Sequence, residues 1–247
     1  LSRMWRWFIL HVFANFSHLL LDNFAFWVPY LKDSCDAFRY TANRKSELCN
    51  PRGKLYDENN FRIAAMIDCS DFKAYKAGAG PLEPGPNGLR RPGAADMDRA
   101  TFGGHHHTHG VKYEESILAC GMTMSFIGPY ASRRQDRFVT EHSEFSNKFK
   151  YAQEQDLALG GNLYFAFGDN IYVNSEVVKR SHRLPNAEEN TENCILRKLR
   201  VCVENDFAYL KHNLFPSVGK NKLNILNDVD CMVPLVACLL KNASIAL

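Results

Sequence analysis

Three acidic residues that are far apart in the sequence stand where a fold could bring them together. Asp68 follows the nearly continuous apolar run 61–67, and Asp169 follows a second apolar run, 162–167, after one glycine. Glu204 lies beside an apolar stripe with helical spacing. Carboxylate oxygens are the ligands that hard divalent cations such as Mg²⁺ prefer. Two such ions, about 3.5–4 Å apart, can serve the attacking and leaving oxygens in phosphodiester cleavage.

Each acid taken alone has a simpler interpretation. An aspartate after a strand is usually a turn former or a helix cap. Arg200 stands four residues before Glu204, a spacing at which opposite charges pair on a helix surface. A metal site built on Asp68, Asp169 and Glu204 therefore requires a fold that gathers them into one pocket, and it fails if they lie on separate surfaces.

The hydropathy pattern predicts which elements would position these acids. Apolar residues at helical spacing over residues 4–31 predict one or two packed helices, and the polar stretch 32–60 predicts a linker with a boundary near residue 60. The pattern that follows predicts, in chain order, a strand over 61–67, a hairpin of strands over 111–119 and 122–127, a helix over 132–155, a strand over 162–167 and a helix that carries Glu204.

This order of elements is typical of the α/β class and of the ribonuclease-H-like fold, in which helices cover a mixed sheet. The first three strands are expected to form an antiparallel meander. The sequence thus predicts an N-terminal helical segment and linker over residues 1–60 and a catalytic domain over residues 61–247.

Composition limits the class of protein without naming it. A chain of 247 residues with 46% hydrophobic content can bury a substantial core. The formal net charge of +3 permits contact with a polyanion but does not by itself argue for nucleic acid. The eight cysteines include no C-x-x-C pair, which favours reduced thiols in an intracellular compartment. Polar residues interrupt the apolar stretch 5–31 before about 20 clean residues accumulate, so no membrane span or membrane partner is predicted there.

Five short blocks of sequence resemble one known family. They are Ile67-Asp68-Cys69-Ser70, His109-Gly110-Val111-Lys112-Tyr113, Gly128-Pro129 with Arg133-Arg134-Gln135-Asp136, Phe167-Gly168-Asp169-Asn170-Ile171-Tyr172, and Val203-Glu204-Asn205-Asp206-Phe207 with Lys211. Their order and spacing resemble the DDE superfamily endonucleases of PIF/Harbinger-like transposases over most of residues 61–215. Cys69-Ser70 departs from the glycine-threonine pair that more usually follows the first acid in that family.

The resemblance implies a transposase-like, metal-dependent endonuclease that hydrolyses DNA phosphodiesters and joins strands. It implies two divalent ions, Mg²⁺ or Mn²⁺, on Asp68, Asp169 and Glu204. Asp136 is expected as a fourth acid ligand at the start of the helix after the third strand, although Arg133, Arg134 and Arg137 could instead neutralise it. Contacts to the DNA backbone are expected from basic residues near these acids, namely Arg133, Arg134, Arg197, Arg200 and Lys211.

The resemblance also implies partners and a location. DNA is the expected partner, with a separate helix-turn-helix protein for DNA specificity, a homo-oligomer and the nucleus as the compartment. Two alternatives stay open. One is a domesticated, catalytically inactive transposase that acts as a DNA-binding or protein-interaction module, and the other is a ribonuclease-H-like nuclease that acts on RNA or hybrids.

A long irregular loop is predicted over residues 78–104, which are rich in glycine and proline. It contains Arg90, Arg91 and Arg99 and leads into the histidine run 105–109. Contact with phosphate and an ordinary solvated loop both stay open as interpretations. Structural zinc is disfavoured, because consecutive histidines in a flexible loop with no nearby cysteine rarely build a tetrahedral site.

Overall fold

The protein is built on a mixed β-sheet, seen in a computed structural model that describes residues 3–21, 24–49, 55–76, 99–104, 107–143, 145–158, 161–172, 175–217, 222–225 and 228–246. The strands are β1 (Ile63–Lys73), β2 (Phe102–Gly103), β3 (Thr108–Leu118), β4 (Thr123–Ala131), β5 (Phe165–Phe167) and β6 (Val178–Lys179). The helices are α1 (Arg3–Phe16), α2 (His18–Leu21), α3 (Phe24–Cys49), α4 (Asp136–His142), α5 (Phe145–Ala158), α6 (Ala187–Tyr209), α7 (Phe215–Ser217) and α8 (Asp228–Ala246), with a π-helical turn, Leu210–Leu214, between α6 and α7.

Strand β1 lies in the interior of the sheet, between β3 and β5. β3 pairs antiparallel with β1 on one side and with β4 on its own far side, whereas β5 pairs parallel with β1 on the other side and β6 pairs parallel with β5. The short β2 pairs with the start of β3. The predicted hairpin and antiparallel meander are confirmed, and the strands of the hairpin are longer than predicted.

Helices cover both faces of the sheet. Neighbouring residues on a strand point to opposite faces, so Glu114 and Glu115 of β3 mark the two sides. Glu114 accepts hydrogen bonds from Thr140 in α4 and from Ser143 directly after it. Glu115 lies 3.5 Å from Lys241 Nζ of α8. The protein is therefore a mixed α/β structure with a sheet between helical layers.

The N-terminal helices share the core of the sheet. The hydroxyl of Ser34 in α3 donates to the carbonyl of Ala64 in β1 at 2.5 Å and accepts from the amide of Ala119 after β3 at 2.8 Å. Ile9 of α1 and Leu20 of α2 are buried in the same cluster as the strand residues. This part of the chain thus folds against the strands that carry the acids.

The linker predicted over residues 32–60 is wrong for most of its length, because α3 continues through Cys49. Its polar surface hides a narrow apolar stripe, Leu31, Cys35, Phe38 and Ala42, whose side chains are all buried. Residues three and four apart share one face of a helix, so these four positions suffice to hold the helix on the core. Residues 50–54 lie outside the described part of the chain.

The single helix predicted over residues 132–155 is also wrong, since two helices, α4 and α5, occupy this region. Ser143 ends α4: its amide bonds to the carbonyl of Val139 at 2.7 Å and its hydroxyl bonds to Glu114 at 2.8 Å. The hydrogen bond from Ser143 to the buried carboxylate of Glu114 holds the chain where α4 ends. Helical periodicity in the sequence does not reveal this contact. The predicted strand 162–167 is present as the shorter β5.

Helix α8 is anchored by a buried charge network. By length and composition α8 could cross a membrane, but most of its residues are buried against the protein, as in a core helix. Lys241 Nζ donates to Thr123 Oγ1 and to Asp206 Oδ2, both at 2.5 Å, and lies near Glu115. One ammonium group of α8 therefore ties α6 and the β3–β4 hairpin together.

Replacing Lys241 by methionine should destabilise the fold by about 3–5 kcal/mol, because the buried Glu115 and the nearly buried Asp206 then lose their cation. Urea unfolding measures this loss. A second change, Glu115→Gln, made in the Lys241→Met background should restore part of it. Lys150→Met, which breaks the exposed Lys150–Glu176 pair, is the control and should have a much smaller effect. A loss for Lys241→Met no larger than that of the control would contradict the anchoring role.

Candidate active site

Asp68 lies within β1, not at its end as the apolar run suggested. The strand continues for five residues to Lys73, and Asp68 is opposite Glu115 in the register with β3. The polar second half of β1 remains a strand because β3 supplies hydrogen bonds along its whole length. Residues opposite each other in an antiparallel pair point to the same face, so Asp68 faces the α6 and α8 side of the sheet.

Arg200 of α6 connects two of the predicted acids. Its Nη1 lies 2.9 Å from Asp68 Oδ2, and its Nη2 lies 2.7 Å from Glu204 Oε1. Asp68 and Arg200 are mostly buried, and the Glu204 side chain is 47% exposed. The structure thus brings Asp68 and Glu204 to the two terminal nitrogens of one guanidinium group. Arg200 pairs with Glu204, four residues later on the helix, as its spacing indicated, and it also pairs with Asp68.

The carboxyl group of Asp68 is in an environment that disfavours its negative charge. Burial raises its pKa from 3.8 to about 6, although Arg200 and the hydrogen bond from the Cys69 amide lower it. The neighbouring charges of Asp136 and Glu204 raise it further. Arg200 thus offsets only part of the cost of burying this charge, and further positive charge nearby would favour the ionised form.

Asp169 follows β5, as predicted, on the strand next to Asp68. Met66 pairs with Phe167 in the parallel register of β1 and β5, so Asp68 and Asp169 each lie two residues beyond that pair. Gly168 allows the approach, because a Cβ atom there would lie 2.5 Å from Tyr172 Cδ2 and 3.0 Å from Ile67. Asp169 itself is exposed, and its side chain accepts a hydrogen bond from the Asn170 amide at 2.6 Å.

Asp136 begins α4 and forms an ion pair with Lys112 of β3. The ammonium group of Lys112 also donates to the carbonyl of Arg134 at 2.9 Å. Lys112 is two residues before Glu114 and so faces α4, on the side of the sheet opposite Asp68. Asp136 therefore approaches the site from the other face, although its charge still raises the pKa of Asp68.

The arginines around α4 lie on its surface. Arg133 and Arg137 are exposed, and Arg137 pairs with Glu141 at 2.6 Å. The guanidinium group of Arg134 stacks over the Phe138 ring, 4.3 Å from its centroid. The cation that pairs with Asp136 is Lys112, so the acid does not depend on these arginines.

The basic residues of α6 and of the π-helical turn follow the same face as Arg200. Arg197 is exposed about one turn before Arg200. Lys211 Nζ donates to Ser70 Oγ at 2.5 Å and lies 5.2 Å from the centroid of the Phe72 ring. Ser70 is two residues beyond Asp68 on β1, so Lys211 lies next to the acid site.

Three residues of the site region have no role in the sequence-based hypothesis: Lys112, Glu114 and Tyr172. Glu114 is fully buried, and burial raises its pKa to about 7 despite the hydrogen bonds from Thr140 and Ser143. The Tyr172 hydroxyl lies 3.7 Å from Cys69 Sγ. The charged residues within the otherwise apolar stretch 111–118 are the signal that could have identified Lys112 and Glu114, because buried charges require partners.

Carboxylate oxygens of the kind that hard divalent cations prefer are present in the site. These carboxylates are the groups that would hold such a cation, and Asp68 and Glu204 already share a positive group. Within the described residues, however, no three histidine, cysteine, aspartate or glutamate side chains are close enough to form a metal cage. Arg90, Arg91, His105 and His106 lie outside the described residues, and the predictions for that loop stay predictions.

Comparison with protein families identifies the class. The family model of the DDE superfamily endonucleases matches residues 88–242, well over half of the chain. The chain belongs to this family, and the match includes Asp136, Asp169 and Glu204. Asp68 lies outside the matched residues, so its assignment rests on the register of β1 and on Arg200. No curated protein and no solved structure matches the chain.

Asp68→Asn should change how stability depends on pH. Because the folded-state pKa of Asp68 is raised, the wild-type chain loses stability as pH rises from about 4 through 6, and the asparagine variant does not. The variant should therefore gain about 2–3 kcal/mol relative to wild type between pH 4 and pH 8, measured by denaturant unfolding with a chelator present. Asp33→Asn, at an exposed position of α3, is the control and should show a much smaller trend. A flat difference for Asp68→Asn would contradict the buried-charge interpretation.

Proposed function

We propose that the chain is a transposase-like nuclease with a ribonuclease-H-like fold, similar in its motifs to the PIF/Harbinger-like transposases, and that it cuts and joins DNA. The observation that carries this proposal is the cluster of Asp68, Arg200 and Glu204, in a chain that belongs to the DDE superfamily endonucleases. The strand order around β1, with one antiparallel and one parallel neighbour, supports the fold assignment.

In this proposal Asp68, Asp169 and Glu204 hold two Mg²⁺ or Mn²⁺ ions, with Asp136 as a fourth acid nearby. Metal ions bound there supply positive charge to the attacking and leaving oxygens of a phosphodiester. Two basic side chains, Lys211 and Arg200, add positive charge beside the metal ions in this proposal. Lys211, held by Ser70, adds a fixed cation next to the acids. Arg200 holds Asp68 and Glu204 in place before substrate arrives and binds a DNA phosphate once it is released from them.

DNA is the proposed partner and the nucleus the proposed compartment. A separate helix-turn-helix protein and a homo-oligomer, both implied by the family resemblance, belong to the same proposal. Asp68, Glu204 and Asp136 are paired with cations within the fold, and the burial of such pairs has a desolvation cost. That cost favours an active nuclease over a domesticated, inactive module.

Purified protein should nick or cut duplex DNA when Mg²⁺ or Mn²⁺ is added, and should do so at a higher rate than it cuts RNA or hybrid duplexes. Asp68→Asn, Asp169→Asn and Glu204→Gln should each lower the rate by at least about a hundredfold, because each removes charge at the reacting phosphate. Asp33→Asn is the matched control and should retain the wild-type rate. If Asp68→Asn cuts as fast as wild type, the assignment of the site is wrong. If calorimetry shows no uptake of Mn²⁺ by the wild-type chain, the inactive alternative is favoured.

Arg200→Gln should separate metal binding from catalysis. Without the guanidinium group, Asp68 and Glu204 lose a competing cation, so the affinity of the DNA-free protein for Mn²⁺ should rise about tenfold. The cleavage rate should fall, because the phosphate contact is lost. Isothermal titration calorimetry and a cleavage assay measure the two effects, with Arg197→Gln as the control for loss of a positive charge on α6. Weaker Mn²⁺ binding in Arg200→Gln would show that Arg200 does not compete with the metal.

A further inference from the structure

A cavity of about 540 Å³ lies at the end of β1, beyond the acid site. Lys73, at the end of the strand, is five residues past Asp68, about 17 Å away at the rise of a β-strand. Basic side chains from three elements line the cavity: Lys73 of β1, His109 of β3, and Lys211 and His212 of the π-helical turn. We call it the end-of-strand pocket.

The positive charge of this pocket is only partly neutralised. Lys73 and His212 are exposed to solvent. Lys211 is hydrogen-bonded to Ser70, a neutral hydroxyl. Burial lowers the pKa of Lys211, although the charges of Asp71 and Asp68 raise it. Asp71, which accepts a hydrogen bond from Ser132 at 2.6 Å, is the acid of the pocket lining and offsets one of the two lysine charges. The two lysines against one acid leave the lining with net positive charge, which an anion such as a phosphate would satisfy.

Exposed aromatic rings flank the basic residues. Phe102 is 41% exposed, and its ring lies 5.4 Å from that of His109, which lines the pocket. Tyr75, two residues after Lys73, is 56% exposed, and Lys222 Nζ lies 5.7 Å from its ring centroid. Exposed rings between cations are the surface on which unpaired nucleic-acid bases stack while their phosphates are held.

The combination distinguishes an unpaired strand from a duplex. A paired duplex hides the faces of its bases, so a surface for duplex alone requires cations and gains nothing from Phe102 and Tyr75. Strand β1 runs from Asp68 to Lys73, so it leads from the acids toward these rings. We propose that the end-of-strand pocket, with Tyr75 and Phe102, binds an unpaired stretch of the DNA strand next to the cleavage site. This inference rests on the proposed function, because it names the form of DNA that the same site takes.

The test is a comparison of two labelled DNA probes by fluorescence anisotropy, one a blunt duplex and one the same duplex with an unpaired extension. Wild-type protein should bind the extended probe more tightly. Tyr75→Ala/Phe102→Ala should weaken binding of the extended probe by at least about fivefold and leave the blunt duplex unchanged. The matched control is Tyr40→Ala/Tyr151→Ala, at residues 66% and 63% exposed on α3 and α5, which should bind both probes as wild type does.

A second variant tests the cations without touching the rings. Lys73→Gln should reduce the slope of log affinity against log salt by about 0.7 for the extended probe, as expected for the loss of one phosphate contact to a single strand. Lys32→Gln, at an exposed position of α3, should not change the slope. Equal binding of the two probes by wild type, or equal losses for the test and control pairs, would overturn this inference and leave the nuclease proposal intact. Failure of wild type to bind or cut either probe would overturn both.

Discussion

The structure depends on the compensation of negative charge that the fold buries in and around one sheet. Each of three buried or half-buried acids lies beside a cation: Asp68 beside Arg200, Asp136 beside Lys112, and Glu115 beside Lys241. A carboxylate removed from water without such a partner costs several kcal/mol. The helices α6 and α8 and the strand β3 are therefore held in place by electrostatic pairing as well as by apolar contact.

The need to compensate buried charge also distinguishes structural acids from candidate catalytic acids within the β1–β3 pair. Glu114 and Glu115 are adjacent on β3, yet they face opposite helical layers and have different partners. Glu114 accepts from the hydroxyls of Thr140 and Ser143, whereas Glu115 accepts from the Thr123 hydroxyl at 2.7 Å and from the Lys241 ammonium group at 3.5 Å. Asp68, opposite Glu115, is satisfied by a guanidinium group that it shares with the half-exposed Glu204. Of these acids, Asp68 and Glu204 on Arg200 are the pair that reaches solvent. A cation or a substrate phosphate arriving from solvent can therefore replace the contacts of Arg200.

The sequence allowed much of the fold and of the candidate site to be predicted, for identifiable reasons. Strands β1, β3 and β4 and the helix carrying Glu204 were predictable because apolar periodicity reports burial directly. The continuation of β1 past Asp68 was not, because its stability comes from pairing with β3, which is distant in sequence. The break between α4 and α5 depends on a hydrogen bond from Ser143 to Glu114, and the role of Lys112 depends on which face of the sheet it occupies. Such contacts are properties of the tertiary structure and leave no local pattern.

The length of β1 relates the acid site to the rest of the proposed DNA path. Its first half, Ile63 to Ile67, is fully enclosed and fixes the strand between β3 and β5. Its second half runs from Asp68 past Ser70, which holds Lys211, to Lys73 at the pocket. A β-strand rises about 3.3 Å per residue. The distance from Asp68 to Lys73 is therefore set by a paired strand and not by a loop. Groups on a paired strand keep fixed positions, as the binding of a long polyanion at two points requires.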